Sequence, residues 1–276
     1  MASIIILSLI LVFDLLNYLL MNAAINVTVI IGVVCLVGIV ATIVLPKIKS
    51  LKEKKITPFL PIIVLVLAIV LCSATLLITK KSDRIARISA MDEICQLIDD
   101  GKYDKASIKL DSYEGLYGGN DTAYYNRAVI YIYQGKAEQA REYLDKVSFR
   151  YRDVSADWHY AYSEVNEMLE RDYVDNLKKA ISINPNHYEA LVKLGNYCLY
   201  NDPDCFKSLY YLQSAIRLNE TDPGSLLALA HAYLNVNDYS DAKTYLDFAV
   251  KYSNSEQFKK ECDKYYQVIA EEGGNQ

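Results

Sequence analysis

The segment LLALAHAYLNVNDYSDAKTYLDFA, residues 226–249, decides the fold. Leu226, Leu229, Ala230 and Tyr233 share one helical stripe, and Ala242, Leu246 and Ala249 share a second, with the small residues Ala230 and Ala242 twelve positions apart. The spacing recurs as Ala128/Ala140, as Gly195/Ser208 with one residue inserted, and in weaker form as Ile94/Ala106. Recurrence at about 34 residues predicts stacked helix-turn-helix units, each burying an apolar face that it cannot bury alone. The small residues belong where the two helices of a unit cross, because a larger side chain would push the axes apart and leave a void beside it.

Other residues punctuate the same pattern. Gly101, Gly135 and Asn237 fall between the two helices of a unit, where a left-handed residue ends the first helix, and Pro185 and Pro223 fall between units. The second unit reads Tyr124, Ala128, Tyr131, Gly135, Ala140, Leu144 and Val147; the fourth reads Leu191, Leu194, Gly195, Cys198, Ser208, Leu212 and Ala215. From these residues the region resembles the tetratricopeptide repeat family. The predicted fold is all-α: N-terminal transmembrane helices over 1–79, then a right-handed α-solenoid of five helix pairs over 80–254, a capping helix over 255–272 and a tail over 273–276. The repeats are expected at 87–119, 120–153, 155–186, 187–220 and 222–253. The third has two registers. One puts Tyr162 and Tyr173 where small residues belong; the other rescues Ala161 but turns Glu164 inward.

The first 79 residues are of different composition. Residues 59–79 form an apolar run without charge, long enough to cross a bilayer of about 30 Å as a helix. Residues 23–45 form a second such run, ended by Pro46, and residues 4–20 read as a third span although Asp14 and Asn17 interrupt it. That segment lacks the basic start of a secretory signal, and Asp14 is a candidate for an intramembrane contact. The basic loop 46–58 carries Lys47, Lys49, Lys52, Lys54 and Lys55, against Lys80, Lys81, Arg84 and Arg87 after the last run. Five against four keeps the loop in the cytoplasm and the repeats outside it, in a prokaryotic plasma membrane. Cysteines without partners argue for the opposite side, although Cys198 and Cys205 are close enough in sequence to bridge in an oxidising compartment.

Residues 80–276 hold 23 of the 24 tyrosines and all but two of the 34 acidic residues. Such an acidic region disfavours nucleic acid, which needs clustered lysine and arginine. The family resemblance implies an inner wall built from first-helix positions: Ile88, Met91, Cys95, Tyr125, Val129, Ile132, His159, Ser163, Asn166, Val192, Asn196, Leu199, Leu227, His231 and Leu234. Relatives that grip the acidic carboxyl terminus of chaperones place lysine and arginine at several of these positions, and this chain has none there. An extended or helical apolar peptide is the expected ligand, with burial of these residues in the core or self-association through them as the plain alternative. His159, His187 and His231 fall at different repeat positions, so no metal site is expected; nor is a cofactor, since neither a nucleophile elbow nor a phosphate-binding glycine loop occurs. The predicted function is a non-enzymatic, membrane-anchored adaptor that recruits a protein partner. The alternative gives the function to the spans, as a transport or signalling subunit using Asp14, with the repeats as a tether.

Overall fold

The computed structural model describes residues 60–273, with side chains described only in part before residue 79. Those residues form twelve helices and no strand. The expected spans 4–20 and 23–45, the basic loop, Asp14 and Asn17 lie outside the described residues. Among the described residues no helix is long and apolar enough to cross a membrane. The backbone of the run 59–79 is helical from Leu60, but most of its side chains are outside that description.

The chain divides into two compact units, Met1–Ala90 and Met91–Gln276. Helix α1 (Leu60–Asp99) begins in the first, where Lys80, Lys81, Arg84 and Arg87 are exposed, and its last turns belong to the second. The second unit continues with α2 (Tyr103–Tyr117), α3 (Asp121–Tyr133), α4 (Ala137–Lys146), α5 (Phe149–Arg152), α6 (Ala156–Met168) and α7 (Val174–Ile183). It ends with α8 (Tyr188–Asn201), α9 (Cys205–Ile216), α10 (Pro223–Asn235), α11 (Tyr239–Tyr252) and α12 (Glu256–Gly273).

Helices pack in consecutive pairs, α3 with α4, α6 with α7, α8 with α9 and α10 with α11, and each pair leans on the next through α4–α6, α7–α8, α9–α10 and α11–α12. First helices also touch one another, α3 with α6, α8 with α10 and α10 with α12, and so form a wall of their own. The small residues are buried: Ala106, Ala128, Ala140, Ala230 and Ala242 are at most 1% exposed. Ala242 joins Leu199, Leu212, Leu229 and Tyr233 in one core cluster, while Ala230 joins Leu246 and Cys262 of α12 in the next.

Four of the five turns between paired helices are the same device. Gly101, Gly135, Glu170 and Asn237 have φ of +71°, +72°, +55° and +60°. The next N–H reaches five residues back each time, as in Lys136 N–H to Tyr131 O at 2.8 Å and Arg171 N–H to Asn166 O at 2.8 Å. The exception is α8, which ends without a left-handed residue in the turn Asp202-Pro203-Asp204, where the extra residue of the fourth repeat sits. Polar caps start the first helices: Asn120, Ser155, His187 and Asp222 each accept the N–H three residues on.

The turn at Glu170 resolves the register of the third repeat, and neither sequence register stands. Gly135 and Asn237 lie seven residues after Ala128 and Ala230, and seven residues before Glu170 is Ser163, which is fully buried. Ser163 therefore takes the small position and bonds back to Tyr160 O at 2.6 Å. A second difference is α5, a single turn capped by Ser148 inside the segment expected to finish the second repeat. Its Arg152 donates to Val147 O and stacks 5.1 Å from the ring of Trp158, fixing the exit of α4.

Candidate functional site

The shift of the third repeat changes what lines the first-helix wall. His159 and Asn166, expected on that wall, turn instead toward their own second helix and turn: His159 toward Asn176 and Lys179 of α7, and Asn166 donating to Asp172 O at 3.2 Å. Burial lowers the pKa of His159. Tyr160 and Glu164 take their place. They meet Tyr188, Glu189, Val192, Lys193 and Asn196 of α8, together with Asp222 and Ser225 at the start of α10, around a cavity of about 370 Å³. Three repeats contribute to it, so the site exists only in the stack.

Hydrogen bonds hold its walls. Lys193, with 16% of its side chain exposed, bridges α8 to α6 by pairing with Glu164 and, at 2.6 Å, with Glu167. Burial pulls the ammonium pKa down, but bonds to the two carboxylates outweigh it and the net shift is upward. The ammonium lies 5.9 Å from the ring centre of Tyr160 and 5.6 Å from that of Tyr173. Burial, then the charge of Glu164, raises the pKa of Tyr160, so its hydroxyl stays a donor. Tyr188 and Ser225 share a hydroxyl–hydroxyl bond of 2.8 Å between α8 and α10. Burial pushes the Asp222 carboxyl up, but bonds from Ser225 and Tyr188 prevail and lower it.

His187 underlies this corner at 6% exposure. Its Nδ1 accepts the Ala190 N–H at 3.3 Å and lies 3.2 Å from Glu189 Oε2, and its Nε2 is 3.3 Å from the Asp157 carboxylate. That contact lowers the pKa of Asp157.

Other residues expected on the wall fall into three groups. Val192 and Asn196 line the cavity. Met91 and Cys95 lie under α3, where Asn126 Nδ2 approaches their sulfurs at 3.2 and 3.4 Å, and Leu199 is core at 8% exposure. Tyr125, Val129, Ile132, Leu227, His231 and Leu234 are half-buried, with Tyr125 tilted on Tyr151 of α5 and Leu227 against the α12 cluster. His231 sits between Tyr200 and Tyr265, with ring centres 5.6 and 5.3 Å away, and burial lowers its pKa. Tyr160, Glu164, Tyr188, Glu189, Lys193, Asp222 and Ser225 were not expected. The available signal was the inward Glu164 of the second register, read beside Glu189 and Lys193.

Cys95, Cys198, Cys205 and Cys262 are free thiols. No group of histidine, cysteine or carboxylate among the described residues could hold a metal ion. A further cavity of about 370 Å³ opens between α9, α10 and α11, with Tyr245, Phe248, Tyr252 and Arg217 at its rim.

Comparisons with known proteins agree with this architecture. The tetratricopeptide repeat family model matches residues 121–148 and 223–256, which are α3–α4 and α10 with α11. No curated protein matches the sequence. Among solved structures, PilF of Pseudomonas aeruginosa is 17% identical, with a TM-score of 0.56 over 70% of this chain and 90% of its own. YrrB, described as a TPR protein with an unusual peptide-binding site, is 18% identical with a TM-score of 0.47 over 67% of this chain and 97% of its own. MamA is 21% identical with a TM-score of 0.46 over 57% and 92%. The PilF match shows a likeness of fold that reaches beyond the two segments the family model covers.

Proposed function

We propose that the repeat stack is a non-enzymatic scaffold that binds a protein or peptide partner along its first-helix wall, and that the apolar runs before residue 80 hold it at a membrane. The observation that carries the binding reading is the cavity shared by α6, α8 and α10: a concave site made by three consecutive repeats, of the kind that reads an extended chain. The anchor rests on the sequence of 23–45 and 59–79, whose length and lack of charge suit the bilayer interior. Anchoring confines partner and scaffold to a thin layer, so modest affinity at the wall suffices.

A photo-crosslinking residue tests the wall without disturbing the core. With benzoylphenylalanine in place of Asn196, intact cells are expected to yield a discrete crosslinked partner that is missing when the same residue replaces exposed Lys243 on α11. Identical crosslinking patterns from both positions would remove the wall from the account. The anchor is tested separately: the full chain should stay with membranes through alkaline extraction, whereas a chain starting at Lys80 should be released.

A further inference from the structure

We infer that the cavity between α6, α8 and α10 is a socket for one cationic side chain of the partner, arginine in preference to lysine; this rests on the reading that the wall binds a partner. Charge is the first reason. Glu164, Glu189 and Asp222 line the cavity, and its single lining cation, Lys193, is already paired with Glu164 and Glu167. An incoming carboxylate would face three like charges and a lysine already satisfied. An incoming guanidinium would find acceptors.

The second reason is that a cation already occupies part of the chamber. Lys193 sits over the faces of Tyr160 and Tyr173 within reach of two carboxylates, which is the arrangement that retains a desolvated cation. The chain's own ammonium thus shows which charge these walls stabilise.

A third reason is spare acceptor capacity. Glu189 Oε2 lies 3.2 Å from His187 Nδ1, which engages one of the two oxygens of this acceptor-only group. The Glu189 carboxylate, 59% exposed, still keeps lone pairs for a ligand. Asn196 and Tyr188 line the same cavity. A planar guanidinium can bond the carboxylate through two N–H groups and stack on a tyrosine at once, which an ammonium cannot.

The test uses the full chain in detergent and fluorescent nonapeptides of leucine, serine and alanine that differ only in a central arginine, lysine, leucine or glutamate. The arginine peptide is expected to bind about ten-fold tighter than the leucine peptide, a difference that shrinks in high salt. Glu189→Gln should remove most of that preference and leave the leucine peptide unchanged, while Asn196→Trp, which fills the cavity, should weaken all four. Equal binding of the arginine and leucine peptides, with both lost in Asn196→Trp, would overturn the cationic socket and leave the wall standing. Tighter binding of the glutamate peptide, or binding of none, also overturns the socket, and crosslinking from position 196 then decides the wall by itself.

Discussion

Arg127 is 3% exposed, yet it carries a full charge from α3 into the first repeat. Its guanidinium donates to the Ser107 backbone and hydroxyl oxygens, to Asp111 at 2.6 Å and to Glu114 at 2.8 Å. Removing one partner of a buried pair leaves the other desolvated and alone, which costs more than the intact pair contributes. Arg127→Ala is therefore expected to lower unfolding free energy by about 2 kcal/mol, with Glu114, 24% exposed, as the stranded group. Urea titration followed by the fluorescence of Trp158, 5% exposed and bonded through Nε1 to Leu144 O, measures it. A change below a few tenths of a kcal/mol would show that α2 is not clamped to α3 through this residue. Nothing in the linear sequence separates Arg127 from a solvated surface arginine. It lies beside the apolar stripe, and only the position of α2 makes it an interior residue.

At the scale of elements, turns and crossings obey backbone geometry more strictly than side-chain pattern. Glu170 holds φ at +55° in a turn that three other repeats give to glycine or asparagine, a conformation costing a residue with a Cβ about 1 kcal/mol. Glu170→Gly should thus stabilise the chain by about 1 kcal/mol, less the extra freedom glycine gains in the unfolded state. The reverse applies where α8 crosses α9. A Cβ on Gly195 would stand 2.7 Å from Leu212 Cγ and 2.8 Å from its Cδ2, and Leu212 is fully buried. Gly195→Ala should cost about 1–3 kcal/mol by overpacking. The two variants are compared by urea midpoint; the same sign for both would refute this account of turn and crossing. The sequence showed the crossings because small residues recur at a fixed interval. It hid the third register because Tyr162 and Glu164 flank a serine whose smallness matters, and because the left-handed turn falls on a glutamate.

For the molecule as a whole, the stack needs an end. α12 covers the last repeat through Cys262, fully buried against Ala230 and Leu246, with Phe258, Tyr265, Tyr266 and Ile269 around it. Ending the chain after Ser253 should lower stability by about 3 kcal/mol and expose the Leu227–Leu246 surface to association, read as a lower melting temperature and larger particles in light scattering. An unchanged melting temperature would mean that α12 is an appendage and not a cap. The repeat period, the paired helices and the acidic balance were fixed by residue order alone, because burial of periodic stripes and release of left-handed turns are local demands that each repeat meets in its own sequence. The cavity was decided by tertiary structure. Its lining comes from three repeats, and whether Glu164 or Ser163 faces the cavity depends on how α6 rotates against α7 and α8, a choice made by packing on both sides of the helix.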